Sequence, residues 1–242
     1  MSESEGVRRT PLNRERVLAA AVAFADREAG GTDALSMRKL ALELGVVPMA
    51  LYKHVANKEE LLAGMVDTVV GGIDPPAAGA DWKGAVRERI LSARRALRRH
   101  PWAPRVIESL PAPTPAVLGH LDAVIGLFRA GGLSADLAHH AMHALGGRLL
   151  GFTQELFDAS PQPGAGAPDP RVAAQLAARY PHIAEVAATA AHAEHAAEDG
   201  TAVGGGCDDQ FEFEFALDVL LDGIERLHLA DWTSAGARRA VQ

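Results

Sequence analysis

The sequence predicts an all-α protein, with a small N-terminal module of short helices followed by a larger helical domain. Three observations carry that expectation. Alanine, the residue with the best intrinsic helix propensity, is very common. β-branched runs with period-two alternation are nearly absent. The remaining apolar residues recur at helical spacing between glycines, prolines and capping residues. At 242 residues the chain suits one large domain, or a small one plus a medium one. With 48% apolar and 23% charged residues its composition is that of an ordinary globular protein.

The polar run at 1–10 is expected to be disordered. The first helix should start after Asn13, whose side chain can accept a bond from a first-turn amide. Leu12 and Val17 are placed for a hydrophobic staple. Val17, Ala21, Phe24 and Ala25 recur at helical spacing, and Gly30-Gly31 should end the helix. Ser36 caps a second helix, with Leu40 and Leu44 on its inner face and Gly45 at its end. Pro48 suits the first turn of a brief third helix, where its missing N–H costs nothing. Asn57 caps a fourth, with Glu60 as a capping-box partner, and its apolar positions run to Gly71-Gly72.

The Pro/Gly/Ala-rich stretch from Asp74 to Ala80 reads as a domain boundary. Trp82 to Arg99 follows as a helix with Val86, Ile90, Ala93 and Leu97 in its apolar stripe, broken at His100-Pro101. A short segment from Trp102 to Leu110 leads into a proline-rich turn, then a helix from Val117 to Arg129. Ser134 caps a long helix running to about Phe157. Further helices are expected over Asp169–Ala178, Pro181–Glu198 and Asp208–His228, separated by loops at Ser160–Pro168 and Gly200–Gly206. The predicted domains are therefore 11–72 and 80–230.

The net charge of −7 is unevenly spread. Residues 1–60 hold nine Lys/Arg and nine Asp/Glu, so the acidity lies beyond them. The single cysteine, Cys207, excludes an intrachain disulfide and a multi-cysteine metal site. The N-terminal run lacks the apolar core of a signal peptide, and no stretch of about 18 apolar residues suggests a membrane span. No membrane partner is expected, and a cytoplasmic location is.

Short helices joined at a glycine, the second led by a proline, are the grammar of a helix-turn-helix. Gly45 would occupy the tight turn, and Leu40 and Leu51 would lock the helices at a steep angle. The exposed face of the second helix is then free to enter a major groove. Met49, Ala50 and Lys53 lie on that face, while Tyr52 and His54 can reach phosphates with their polar ends. Lys58 sits at the start of the next helix, near a backbone, and Arg38 would reach a base edge or a phosphate.

The run from Leu35 to Leu62 resembles the tetracycline repressor (TetR) family of bacterial transcriptional regulators. Gly45-Val46, Leu51-Tyr52-x-His54-Val55 and Asn57-Lys58-x-x-Leu61-Leu62 occur at family spacing. The resemblance implies phosphate contacts by Tyr52, His54 and Lys58, and base or groove contacts by Arg38, Pro48, Met49, Ala50 and Lys53. One departure stands out: many members carry Ser or Thr where this chain has Ala50, so the resemblance implies no hydroxyl-to-phosphate bond there.

Residues 80–228 resemble, more weakly, the C-terminal domain of the same branch. The resemblant pieces are Asp81-Trp82, the run at 98–102, Gly131 to Ser134, and Gly147 to Phe157. That implies an effector site among helices near 82–99, 117–130 and 134–158, mostly apolar with a few placed polar groups. Trp102, Phe128, His143, Phe152 and Phe157 are the candidate ligand contacts, although Phe128 and Phe152 fit plain core equally well. His139/His143 and His192/His195 have spacings able to bind metal but lack an evident third ligand, so neither a metal nor a cofactor is expected. The last helix carries Phe211, Phe213, Phe215, Leu217, Leu220, Leu221 and Ile224, an apolar surface too large for one side. Phe213 is expected to be exposed unless covered, which points to a homodimer.

The expectation is thus a helix-turn-helix three-helix module plus a helical ligand-binding and dimerisation domain. Together they would make a homodimeric repressor of a palindromic operator in double-stranded DNA, released by a small-molecule effector. No glycine-rich phosphate loop after a strand and no nucleophile elbow is present, and Cys207 lies in a Gly-rich, acid-flanked loop unsuited to stabilising a thiolate. An enzyme is therefore not expected. The remaining alternative is a ligand-binding or interaction protein whose helix-turn-helix no longer binds DNA.

Overall fold

The computed structural model describes residues 11–151, 170–185 and 209–240, and among these every regular element is a helix. The chain opens with α1 (Arg14–Arg27), α2 (Gly31–Ala34), α3 (Met37–Leu44), α4 (Pro48–Leu51) and α5 (Lys58–Gly71). It continues with α6 (Trp82–Arg99), α7 (Ala103–Ser109), α8 (Pro115–Ala130) and α9 (Ala135–Gly151). Then come α10 (Pro170–Arg179), a helical turn at 181–185, α11 (Asp209–Leu229) and α12 (Ser234–Ala240). The described residues of 11–144 and 223–240 form one compact unit, and those within 145–222 form another.

Local chemistry sets the helix starts. Asn13 accepts from the Arg16 amide at 2.8 Å, Ser36 from Lys39 at 3.2 Å and Asn57 from Glu60 at 2.8 Å. Asp81 accepts from Gly84 at 2.7 Å, and Ser134 from Leu137 at 3.1 Å. Each bond satisfies a first-turn amide that has no partner within its helix. Glu60 departs from the expected capping box. Its carboxylate accepts from the Ala56 amide at 2.7 Å, one residue before the cap, and so anchors the incoming loop.

Several boundaries differ from expectation. α1 ends at Arg27 with Glu28 extended, before the two glycines, and Gly31 opens the four-residue α2 instead of closing α1. The segment before the proline-rich turn is itself helical, as α7. An additional helix, α12, follows Asp231, and its Ser234 amide donates to Asp136 on α9 at 2.7 Å. The expected end of the long helix near Phe157, the loops at 160–168 and 200–206, most of the 181–198 helix and the 1–10 terminus lie outside the described residues.

Helices α1 to α5 share one core with the α7 region. Val17, Ala21, Leu40, Leu51, Leu61, Met65 and Val66 are buried together, with Trp102, Ala103 and Val106 of the α7 region closing one side. Gly64 lets α5 cross α1 closely, since a Cβ there would lie 2.6 Å from a Leu18 methyl. Further along α5, the Asp67 carboxylate accepts from the Ala116 amide at 2.9 Å, tying α5 to the first turn of α8. Asp26 on α1 makes a second tie. Its Oδ1 accepts from the Trp102 indole N–H at 2.7 Å, and both its oxygens lie 2.9 Å from His100 Nδ1.

In α11 the apolar residues divide between two faces. Phe213, Leu217 and Leu221 are buried, whereas Phe211, Phe215 and Val219 are exposed. Phe213 is therefore covered within the chain, contrary to expectation, and the exposed apolar surface belongs to its neighbours. The reason is geometric: two residues along a helix turn the side chain to the opposite face.

Candidate nucleic-acid interface

Gly45 sits at φ +65°, ψ +34°, a left-handed conformation that strains any residue with a Cβ. Its amide donates to Leu42 at 3.1 Å, and the Val46 amide reaches back to Ala41 at 2.9 Å, so α3 closes firmly. Val47 is extended, and Pro48 then fixes the first turn of α4. Leu40 and Leu51 are fully buried and hold the two helices against the core. Leu51 also accepts from the amides of His54 and Val55, at 2.8 and 3.0 Å, which fixes the turn after α4.

This frame leaves several side chains exposed. Met49 is 71% exposed, Val47 68% and Leu42 81%, with the Tyr52 ring half out of the protein. Large apolar side chains are left in water here by a module that buries or half-buries its other large ones, which marks a contact surface. Pro48 is exposed on the same stretch, and Ala50 and His54 are half-buried. Arg38, Lys53 and Lys58 are exposed and have no hydrogen bond or ion pair among the described residues. Other cations of the module are committed elsewhere: Arg27 holds Glu43 through two contacts of 3.0 and 2.9 Å, and Lys39 donates to the Ala34 carbonyl at 3.0 Å. Three uncommitted cations thus share the segment 38–58 with these exposed apolar side chains, and Lys58 lies in the first turn of α5, where the helix dipole also favours anions.

All eight sequence-derived DNA candidates fall within residues 38–58, on α3, on α4, in the turn after it and at the start of α5. Leu42 and Val47 join that surface without having been expected there. The signal available for Leu42 was its position two residues from buried Leu40, on the opposite side of the helix.

The candidate ligand contacts are scattered. Trp102 is buried in the core beneath α1, with its N–H engaged by Asp26. Phe128 is fully buried, its ring centroid 5.9 Å from that of Trp82. His143 is exposed on α9, its ring 4.7 Å from His139. Phe152, Phe157, His192 and His195 lie outside the described residues. Among the described residues no group of three or more side chains is arranged to hold a metal ion.

Residues 18–65 match the family described as bacterial regulatory proteins, tetR family, and residues 75–228 match the tetracyclin repressor-like C-terminal domain. The HTH-type transcriptional repressor DrrR1 of Streptomyces coeruleorubidus is 32% identical over 219 residues, covering 89% of this chain and 78% of that protein. A possible TetR family transcriptional regulator from Streptomyces coelicolor A3(2) superposes with a TM-score of 0.65 at 27% identity, over 89% of this chain and all of that one. ActR of Streptomyces coelicolor, solved in complex with actinorhodin, superposes with a TM-score of 0.57 at 27% identity, over 90% and 98% of the two chains. The helix-turn-helix signature and the helical domain behind it meet in one assignment: this chain belongs to the tetR family of bacterial regulatory proteins.

Proposed function

We propose that this chain acts as a homodimeric transcriptional repressor that binds a pseudo-palindromic operator and is released by a small-molecule effector. The observation that carries the reading is the segment from Arg38 to Lys58, where exposed apolar side chains accompany three exposed cations that have no protein partners among the described residues. In this reading α4 enters the major groove, where Met49, Ala50 and Val47 meet base edges by apolar contact, including thymine methyls. Lys53 and Arg38 reach bases or adjacent backbone, and Tyr52, His54 and Lys58 hold phosphates and fix the register. Pro48 sets the entry angle of α4. Two modules spaced about one helical turn apart would read two half-sites.

Dimerisation is supported by Phe211, Phe215 and Val219, an exposed stripe at successive helical turns of α11. Residues 11–72 are the DNA-binding domain in this reading and 80–230 the effector-binding and dimerisation domain. The effector acts by preferring a conformation in which the two modules are wrongly spaced. That ActR was solved with actinorhodin supports a small-molecule effector here. Among the described residues no helix is long and apolar enough to cross a membrane, which is compatible with work on DNA in the cytoplasm.

The test is fluorescence anisotropy of the full chain on the DNA upstream of its own gene, against scrambled DNA, over a range of salt. Wild type should bind the upstream DNA specifically, and Tyr52→Ala should lose most of that binding while remaining folded. Equal affinity for both DNAs would refute the reading.

A further inference from the structure

Helices α6 and α8 pack against each other, and most of what they share is apolar. Val86, Ile90 and Ala93 of α6 and Val124 and Phe128 of α8 are all buried. Two polar residues interrupt these faces. Arg89 lies on α6 between Val86 and Ala93, and His120 lies on α8 one turn before Val124. The Nε of Arg89 and the Nδ1 of His120 are both shut off from solvent, and neither has a hydrogen-bond partner. Arg89 also has no ion pair among the described residues, whereas Lys83 on the same helix holds Glu225 at 2.7 Å.

Burial alone lowers the pKa of Arg89, with no carboxylate offsetting it. Burial, and then the Arg89 charge, push His120 down to about 4. The Arg89 charge thus acts on His120, whose imidazole is neutral near neutral pH, and each side chain holds one buried nitrogen without a partner. Desolvating such groups without partners costs free energy, and native structures leave few of them so. A bound anion would supply what both lack, through charge-assisted hydrogen bonds.

We infer that Arg89 and His120 form the acid-reading end of the effector site, and that the effector is a largely apolar small molecule bearing one anionic group such as a carboxylate, a sulfonate or an ionised phenol. This rests on the reading of the C-terminal domain as effector-binding. The buried aliphatic neighbours take the body of the molecule, and the Arg89–His120 pair selects its charge.

The probes are anilinonaphthalene sulfonate and its uncharged parent, anilinonaphthalene, each titrated by fluorescence into the full-length protein. Wild type should hold the sulfonate at least about tenfold tighter than the parent, the scale of one charge-assisted hydrogen bond. Arg89→Met should abolish that preference, Arg89→Lys should keep part of it, and His120→Leu should weaken the sulfonate several-fold. Equal binding of the two probes to wild type, no saturable sulfonate binding, or a preference undiminished in Arg89→Met would each overturn the inference. Should Arg89→Met fail to fold, Arg89→Lys and His120→Leu decide it: both retaining the full wild-type preference would overturn it. Operator binding is titrated in parallel. Its loss in wild type with the sulfonate preference intact would sink the repressor reading and leave the anion site standing.

Discussion

Removing the Asp26 carboxylate should destabilise the first unit by an amount the structure lets us estimate. Asp26→Ala leaves the Trp102 indole N–H, on a residue only 6% exposed, without its acceptor. An unsatisfied buried donor costs about 1–3 kcal/mol. The contact to His100 is more exposed and adds roughly 0–1 kcal/mol. The expected loss is therefore about 1–4 kcal/mol, or a melting point lower by roughly 2–16 °C for a chain of this size. Urea unfolding at fixed protein concentration measures it, because any dimer makes stability concentration-dependent. A double-mutant cycle locates the cause. Trp102→Phe removes the donor, so adding Asp26→Ala to it should cost no more than the roughly 0–1 kcal/mol of the His100 contact. If Asp26→Ala loses less than about 0.5 kcal/mol, or if the two changes simply add, the bond is not the source of the stability.

Lys58→Ala should weaken operator binding and flatten its salt dependence. Each dimer would neutralise two fewer phosphates, so the log–log slope should fall by roughly 2, and an unchanged slope would remove Lys58 from the interface. Gly45→Ala places a Cβ at φ +65° and should cost about 1–2 kcal/mol in thermal unfolding, with operator affinity falling because α4 is re-aimed. His120 should make stability depend on pH. Its folded pKa, about 4, lies below the ordinary 6.5, so the unfolded chain takes up a proton first as pH falls. This contribution is fully present above about pH 6.5 and is lost progressively toward pH 4. His120→Leu should therefore lose less melting temperature between pH 7 and pH 5 than wild type does, and identical losses would refute it.

Much of the fold was legible because its punctuation is local. Asn13, Ser36, Asn57 and Ser134 cap the helices they were expected to cap, because a cap needs only the residue and an amide about three positions on. Pro48 and Gly45 were readable for the same reason. α2 was not, since four residues carry no periodicity, and α12 was not, since its Ser234 amide is held by an aspartate about a hundred residues away in sequence. The role of Trp102 was hidden likewise: an aromatic beside a proline reads as a pocket wall until Asp26, 76 residues earlier, is placed against it. The error over Phe213 was avoidable, because alternate residues on a helix cannot share a face. Arg89 and His120 belong to no sequence motif. Only the packing of α6 on α8 brings their orphaned nitrogens into view.

The exposed trio of Leu42, Val47 and Met49 has a thermodynamic signature of its own. Phosphate contacts draw their free energy from released counterions and fade as salt is raised. Apolar side chains pressed against thymine methyls release no ions, and they take apolar area out of water. Operator binding should therefore carry a negative heat-capacity change, which calorimetry reads directly. It should also keep a residue of affinity at high salt, and that residue should weaken on cooling, as burial of apolar surface does.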